Sequence, residues 1–271
     1  IEFSAFGGFS SWAAINLPSD ITAVEASLFE NCTTLAEVVV PDGVKSIGAK
    51  AFSGCANLKK VVIPASVESM GFDTFTSSPD VYVTSVESWC KIDFSDSIGY
   101  GMNGLYVDNV LATEITIPGT VSEIKQYTFS FARYLTKVVI EEGITSIDYR
   151  AFDSCESLTE VVLPNTLTNI DEMAFSWCSN LTTATLPEGI TTIGDYAFQD
   201  CPQLVNVVFP LTLVSVGTCA YRNCVSLTEI TIPKALASLG LSVFDSCTGL
   251  LNITVEEENT AYASLDGNLY T

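Results

Sequence analysis

The sequence predicts a right-handed solenoid of stacked 23-residue coils, with a parallel β-sheet on the inner face and short helical turns and extended segments on the outer face. Three observations predict it. Prolines recur on one phase, at Pro18, Pro41, Pro64, Pro118, Pro164, Pro187, Pro210 and Pro233, with Glu141 taking the same place once. An aromatic slot repeats with them, at Phe29, Phe52, Phe75, Phe129, Phe152, Phe175, Phe198, Tyr221 and Phe244. A stretch of roughly the form Leu-x-x-[Val/Ile/Ala]-x-[Val/Ile/Leu] recurs ahead of these prolines, and its alternation has the period of a half-buried strand.

Each segment of the unit has its own reason. Proline lacks the N–H a sheet needs, so it turns the chain out of the sheet. The following [Val/Ile/Leu]-x-x-[Ile/Val/Met/Leu] stretch, as in GITSI at Gly143–Ile147, keeps Ser and Thr outward and predicts a second, shorter strand or an extended edge. Ala-Phe-x-x-Cys then predicts a helical turn. The strand opens on Leu35, Leu58, Leu135, Leu158, Leu181, Leu204, Leu227 or Leu250 and continues through β-branched residues. Every coil has the same volume to fill, so a side chain demanded once per coil reads as spine. A leucine register at this period marks a leucine-rich repeat solenoid.

The chain reads as a single array over residues 1–271 of about nine coils, with an irregular insertion at about 79–111 and an atypical segment at 256–271. Counting back from Pro18 puts Ile1 and Ala5-Phe6 in register, so the expectation is a fragment of a longer protein.

With 48% hydrophobic residues the chain has ample core. Lys plus Arg total 11 against 32 Asp plus Glu, a formal charge of −21, which disfavours phosphate backbones and anionic lipid. Neither nucleic acid nor direct membrane insertion is expected, since no apolar run approaches the ~20 residues of a span.

The absence of histidine removes the Ser-His-Asp and Cys-His nucleophile systems, and the carboxylates scatter without a marked pair, so no catalytic residue is assigned. No cofactor or metal site is predicted either. Cys32, Cys55, Cys155, Cys178, Cys201, Cys224 and Cys247 share one slot, in a line unsuited to tetrahedral ligation. Rungs ~4.8 Å apart are wider than the ~3.8 Å Cβ separation of a disulfide, so these cysteines are expected to pack as small hydrophobes with a weakly donating thiol. Cys90 and Cys219 fall outside the ladder and are the better candidates for reactivity or pairing. Glu256–Asn259 lacks the alternating oxygen ligands of an EF-hand.

Candidate partner-binding residues come from two outward rows of the predicted sheet. A polar row runs Glu37, Lys60, Glu114, Lys137, Glu160, Thr183, Asn206, Glu229, Asn252, beside a row of Val39, Val62, Thr116, Val139, Val162, Thr185, Val208, Thr231, Thr254. Together they offer hydrogen bonds and apolar contact, although β-branched residues suit exposed strands whatever their function. In the insertion, Asp108-Asn109 reads as a two-residue hairpin turn. Trp89, Tyr100, Met102 and Tyr106 either form an exposed contact site or pack the insertion back onto the coils.

The phrase IGDYAFQDCPQLVNVVFP, Ile193–Pro210, resembles the BspA-like leucine-rich repeats of bacterial and protist surface proteins. That resemblance implies an extracellular or cell-surface setting and adhesion or protein recognition, with no catalytic residue to carry over. A structural spacer, or an accessory module of a larger surface protein or secreted enzyme, is the alternative.

Overall fold

The computed structural model describes residues 6–8, 11, 13–94, 102–205, 207–265 and 267–270. It is a parallel β-solenoid that divides into two compact units, Ile1–Ala112 with Lys125–Tyr134, and Thr113–Ile124 with Leu135–Thr271.

In the first unit, strands Ala14–Asn16, Glu37–Val39, Lys60–Val62, Asp80–Val83 and Leu105–Val107 pair in parallel, and Val110–Leu111 closes the sheet antiparallel. Ala14, Glu37 and Lys60 are rungs of one ladder, as the period requires. A second bank is formed by Ala23–Val24, Ser46–Ile47 and Ser69–Met70.

In the second unit the first bank is Glu114–Ile117, Lys137–Ile140, Glu160–Val162 and Thr183–Thr185, followed by a separate pair, Glu229–Ile232 and Asn252–Val255. Its second bank joins six two-residue strands from Glu123–Ile124 to Ser238–Leu239. The predicted short strand is therefore real in both units.

The irregular insertion interrupts the repeat but not the sheet. Asp80–Val83 and Leu105–Val107 extend it, because each alternates inward and outward like the regular strands. Only the spacing is irregular: Lys60 pairs with Asp80, where the period would have put Val83. The hairpin turn at Asp108-Asn109 forms as predicted, with φ of 50° and 63°.

Helical turns were expected at Ala-Phe-x-x-Cys and do not form there. The one α-helix among the described residues is Val86–Cys90, N-capped by Ser85, whose hydroxyl accepts from the Ser88 N–H at 3.0 Å. Elsewhere left-handed residues recur two positions before the Phe slot and just before the Cys slot, for example Met173 (φ 57°) and Trp177 (φ 59°) around Phe175. Repeated left-handed residues end any right-handed helix. The strain is offset by backbone bonds to the next coil: Met173 N–H to Asp195, Phe175 to Ala197 and Trp177 to Gln199, at 2.8–2.9 Å. The turn side is thus a third hydrogen-bonded bank.

The interior repeats as the sequence required. In the first unit Phe6, Phe29, Phe52 and Phe75 stack at 5.6, 5.4 and 5.7 Å. In the second, Phe152, Phe175, Phe198 and Tyr221 stack at 5.1, 5.3 and 5.2 Å, with ring planes nearly parallel. Beside them thiols of the cysteine ladder donate to the carbonyl of the aromatic residue one coil back: Cys55 to Phe29 at 3.1 Å, Cys178 to Phe152 and Cys201 to Phe175 at 3.2 Å.

Outer edges of the second unit are stitched by threonines. The hydroxyls of Thr136, Thr159 and Thr182 donate to the carbonyls of Thr113, Thr136 and Thr159, at 2.9–3.0 Å. The tail adds a hairpin, Ala263–Leu265 with Asn268–Tyr270. Gly267 accepts from the Ile253 N–H at 3.2 Å and the Tyr262 hydroxyl accepts from the Leu239 N–H at 2.8 Å, so the atypical segment covers donors of both banks.

Tyr221 is the exception in the spine. It is buried, its hydroxyl meets no hydrogen-bond partner among the described residues, and burial holds that hydroxyl far above its ordinary pKa. Replacing it by the phenylalanine of the other coils, Tyr221→Phe, is expected to stabilise the chain by ~1–2 kcal/mol, read as a higher urea midpoint at unchanged slope. An unchanged or lower midpoint would show the hydroxyl to be satisfied in solution.

Candidate functional site

The alternation of each inner strand turns one apolar side chain into the core and leaves its neighbours outside. Val38, Val61, Val138 and Val161 are buried, and the flanking positions form the two outward rows.

In the first unit the polar row is Glu37, Lys60 and Asp80. Lys60 pairs with Glu37 at 2.7 Å, and that hydrogen-bonded carboxylate holds its ammonium above the usual lysine value. Asn103 donates to Asp80 at 2.8 Å. The adjacent row is Val39, Val62 and Tyr82, and Tyr82 stacks on Tyr106 with centroids 4.4 Å apart, while the Lys60 ammonium lies 5.1 Å over its other face. Asp80 and Tyr82 were missed in the sequence because their strand departs from the period. The alternation in DVYV was the signal that would have found them.

In the second unit the polar row is Glu114, Lys137, Glu160 and Thr183, with Lys137 paired to Glu160 at 2.9 Å. Its neighbour is Thr116, Val139, Val162 and Thr185. Glu229 and Thr231 stand opposite Asn252 and Thr254, and the two Thr hydroxyls are 2.9 Å apart. The same charge order, carboxylate–lysine–carboxylate, thus occurs once in each unit.

Several sequence assignments change. Asn206 and Tyr100 lie outside the described residues. Val207 and Val208 are not in a strand, and Val208 is 76% exposed. In this coil Phe209 fills a slot that elsewhere holds Val, Ile or Leu, and its ring packs on Tyr221 at 5.7 Å. Trp89 is no contact residue: it is buried, its ring meets Phe94 edge-on, and its indole N–H donates to the Thr128 carbonyl at 2.7 Å. Met102 is buried too, so these two residues pack the insertion onto its coils.

Cys90 and Cys219 also lose the reactive role. Both are buried thiols, and burial pushes Cys90 up to about 12, far from a thiolate at neutral pH. No group of three or more metal-binding side chains converges among the described residues. One titratable group does stand out, on the turn side of the second unit. Asp153 is buried beside Arg150, 3.4 Å away, and burial pushes its carboxyl up to about 6 against the pull of that guanidinium.

Two grooves lie along the strand face at the C-terminal ends of the strands. The one in the first unit has a volume of about 380 Å³ and includes Val39, Val62, Tyr82, Asp42 and Asp108. Its counterpart in the second, about 250 Å³, includes Val162, Thr185, Asn165 and Glu160.

Banks of short parallel strands, an in-register leucine and phenylalanine interior and a patterned outward face define a leucine-rich repeat protein. The chain belongs to the BspA-type leucine-rich repeat family, whose sequence model matches residues 1–98, 102–224 and 178–264. Among solved structures it is similar to a leucine-rich repeat protein from Bacteroides ovatus, at 20% identity and TM-score 0.54 over 95% of this chain and 82% of that one. It is also similar to the leucine-rich repeat protein TpLRR of T. pallidum, at 27% identity and TM-score 0.51 over 52% of this chain and 69% of that one. A comparison with the curated proteins finds no match.

Proposed function

We propose that this chain is a non-catalytic recognition module, at a cell surface or secreted, that binds another macromolecule, a protein above all, through the outward rows of its strand face. Leucine-rich repeat families are protein-interaction modules, which supports the class of partner. The observation that carries the reading is the register: outward side chains of consecutive strands stand directly opposite one another, as Glu37 with Lys60 and Glu160 with Thr183 do. Such a lattice is preorganised, so little side-chain entropy is lost when a partner docks. The formal charge of −21 sets nucleic acid aside as that partner.

The test replaces Val139, Val162 and Thr185, on three successive rungs, by lysine. Capture of a partner from cell-surface or host-matrix extracts is expected to fall at least about tenfold, ~1.4 kcal/mol, while the thermal transition stays within a few degrees. Capture unchanged by the triple variant would favour the structural spacer or accessory module instead.

A further inference from the structure

The geometry points to the groove of the first unit as a binding site for an extended basic peptide, one that places a Lys or Arg at each end and an aliphatic side chain between them. The site rests on the recognition reading above and names a partner chemistry for it. The floor is made by Val39, Val62 and Tyr82, the outward side chains of three successive strands, and Val39 is 49% exposed. Asp42, on the turn after the first of these strands, lines the groove, and so does Asp108, on the hairpin turn that follows the fourth. Both carboxylates are exposed, and the Lys60 ammonium beside the floor residue Tyr82 is paired with Glu37.

Distances fix the ligand's form. The groove crosses the strands, and three strand spacings of ~4.8 Å separate its ends by about 14 Å. An extended chain rises ~3.4 Å per residue and turns alternate side chains to one side, so its first, third and fifth residues span the same length facing the floor. Backbone pairing is not the binding mode, because Lys60–Val62 and Asp80–Val83 already have strand partners on both sides. Stacking of a sugar is disfavoured as well, since one face of Tyr82 lies against Tyr106 and the other under Lys60. The groove of the second unit carries Asn165 where this one carries Asp42, it is smaller, and its carboxylate Glu160 is already paired with Lys137. Cationic ends therefore belong to the first unit's groove.

The probe is the acetylated, fluorescein-labelled peptide Lys-Thr-Val-Thr-Lys, titrated with the whole chain by fluorescence anisotropy. Saturable binding is expected below about 1 mM, weakening as salt rises from about 20 to about 150 mM. The double variant Asp42→Asn/Asp108→Asn is expected to weaken it about tenfold or more. Asparagine tolerates the left-handed conformation at position 108, so the hairpin is kept. A charge-matched control, Asp20→Asn/Glu257→Gln, is expected to stay within about twofold, and Val62→Ser, which touches no charge, to lose about threefold or more.

No saturable binding by the unaltered chain overturns the site. Equal weakening by both charge pairs does the same, since it would show only the diffuse field of an acidic protein. Neither result touches the strand-face reading, which the lysine variants of the second unit test separately.

Discussion

Replacing Phe175 by alanine is expected to cost about 3–5 kcal/mol, the largest single loss available to a core side chain here. Phe175 is fully buried and stacked on both sides, 5.1 Å from Phe152 and 5.3 Å from Phe198. The hole cannot close by collapse of the neighbours, because the backbone of each is pinned to the coil that follows it: the Phe152 N–H bonds to Ala174 and the Phe198 N–H to Ala220, each at 2.8 Å. Solenoid stability is close to a sum of nearest-neighbour interfaces, so a removed ring weakens two interfaces at once. Urea unfolding followed by far-ultraviolet circular dichroism reads the effect. A loss below about 1 kcal/mol would show that the spine is not what holds the second unit together.

The second large effect is a pH dependence. Asp153 has its folded-state pKa raised from 3.8 to about 6 by burial, with Arg150 opposing the shift. The protonated form is the one the folded state prefers. Its contribution is fully present below about 3.8 and is lost as pH rises through about 6. Asp153→Asn is neutral at every pH, so above pH 7 it is expected to be the more stable protein by about 3 kcal/mol. The gap should shrink between about pH 6 and pH 4. Unfolding midpoints of both proteins at pH 7.5 and pH 4.5 decide it. A gap that does not depend on pH would show the folded-state pKa to be unshifted, and an Asn variant that is the less stable protein at pH 7.5 would place the ionised carboxylate in a stable pairing with Arg150.

Much of this architecture was legible because it depends on periodic burial. A slot that must fill the same volume in every coil takes the same side chain, so Phe175, Cys178 and Leu181 announced the interior and its register without any local propensity. The turn bank was not legible. Its left-handed positions are held by Lys50, Arg150 and Met173, residues that favour helices, and only the hydrogen bonds to the next coil make that conformation worthwhile. Those bonds are tertiary and leave no mark on composition. Asp80 and Tyr82 were hidden for a different reason: the ladder tolerates a shortened coil, so a strand keeps its alternation while losing its phase. For Trp89 the sequence left contact and packing both open, because an aromatic in an irregular segment gives no sign of which side of the chain it faces.

The sameness of the rungs also bears on how the chain finds its structure. Lys137–Ile140 presents to its neighbour nearly the same side chains as Glu160–Val162 does, so it has a near-equivalent wrong docking partner one repeat further along. Such a misthreaded state extrudes a single coil as a bulge, at a loop-closure cost that grows only slowly with length, and forfeits one interface. The strands Asp80–Val83 and Leu105–Val107 stand off the 23-residue spacing, so a chain slipped by one repeat would have to pair them across a coil of different length.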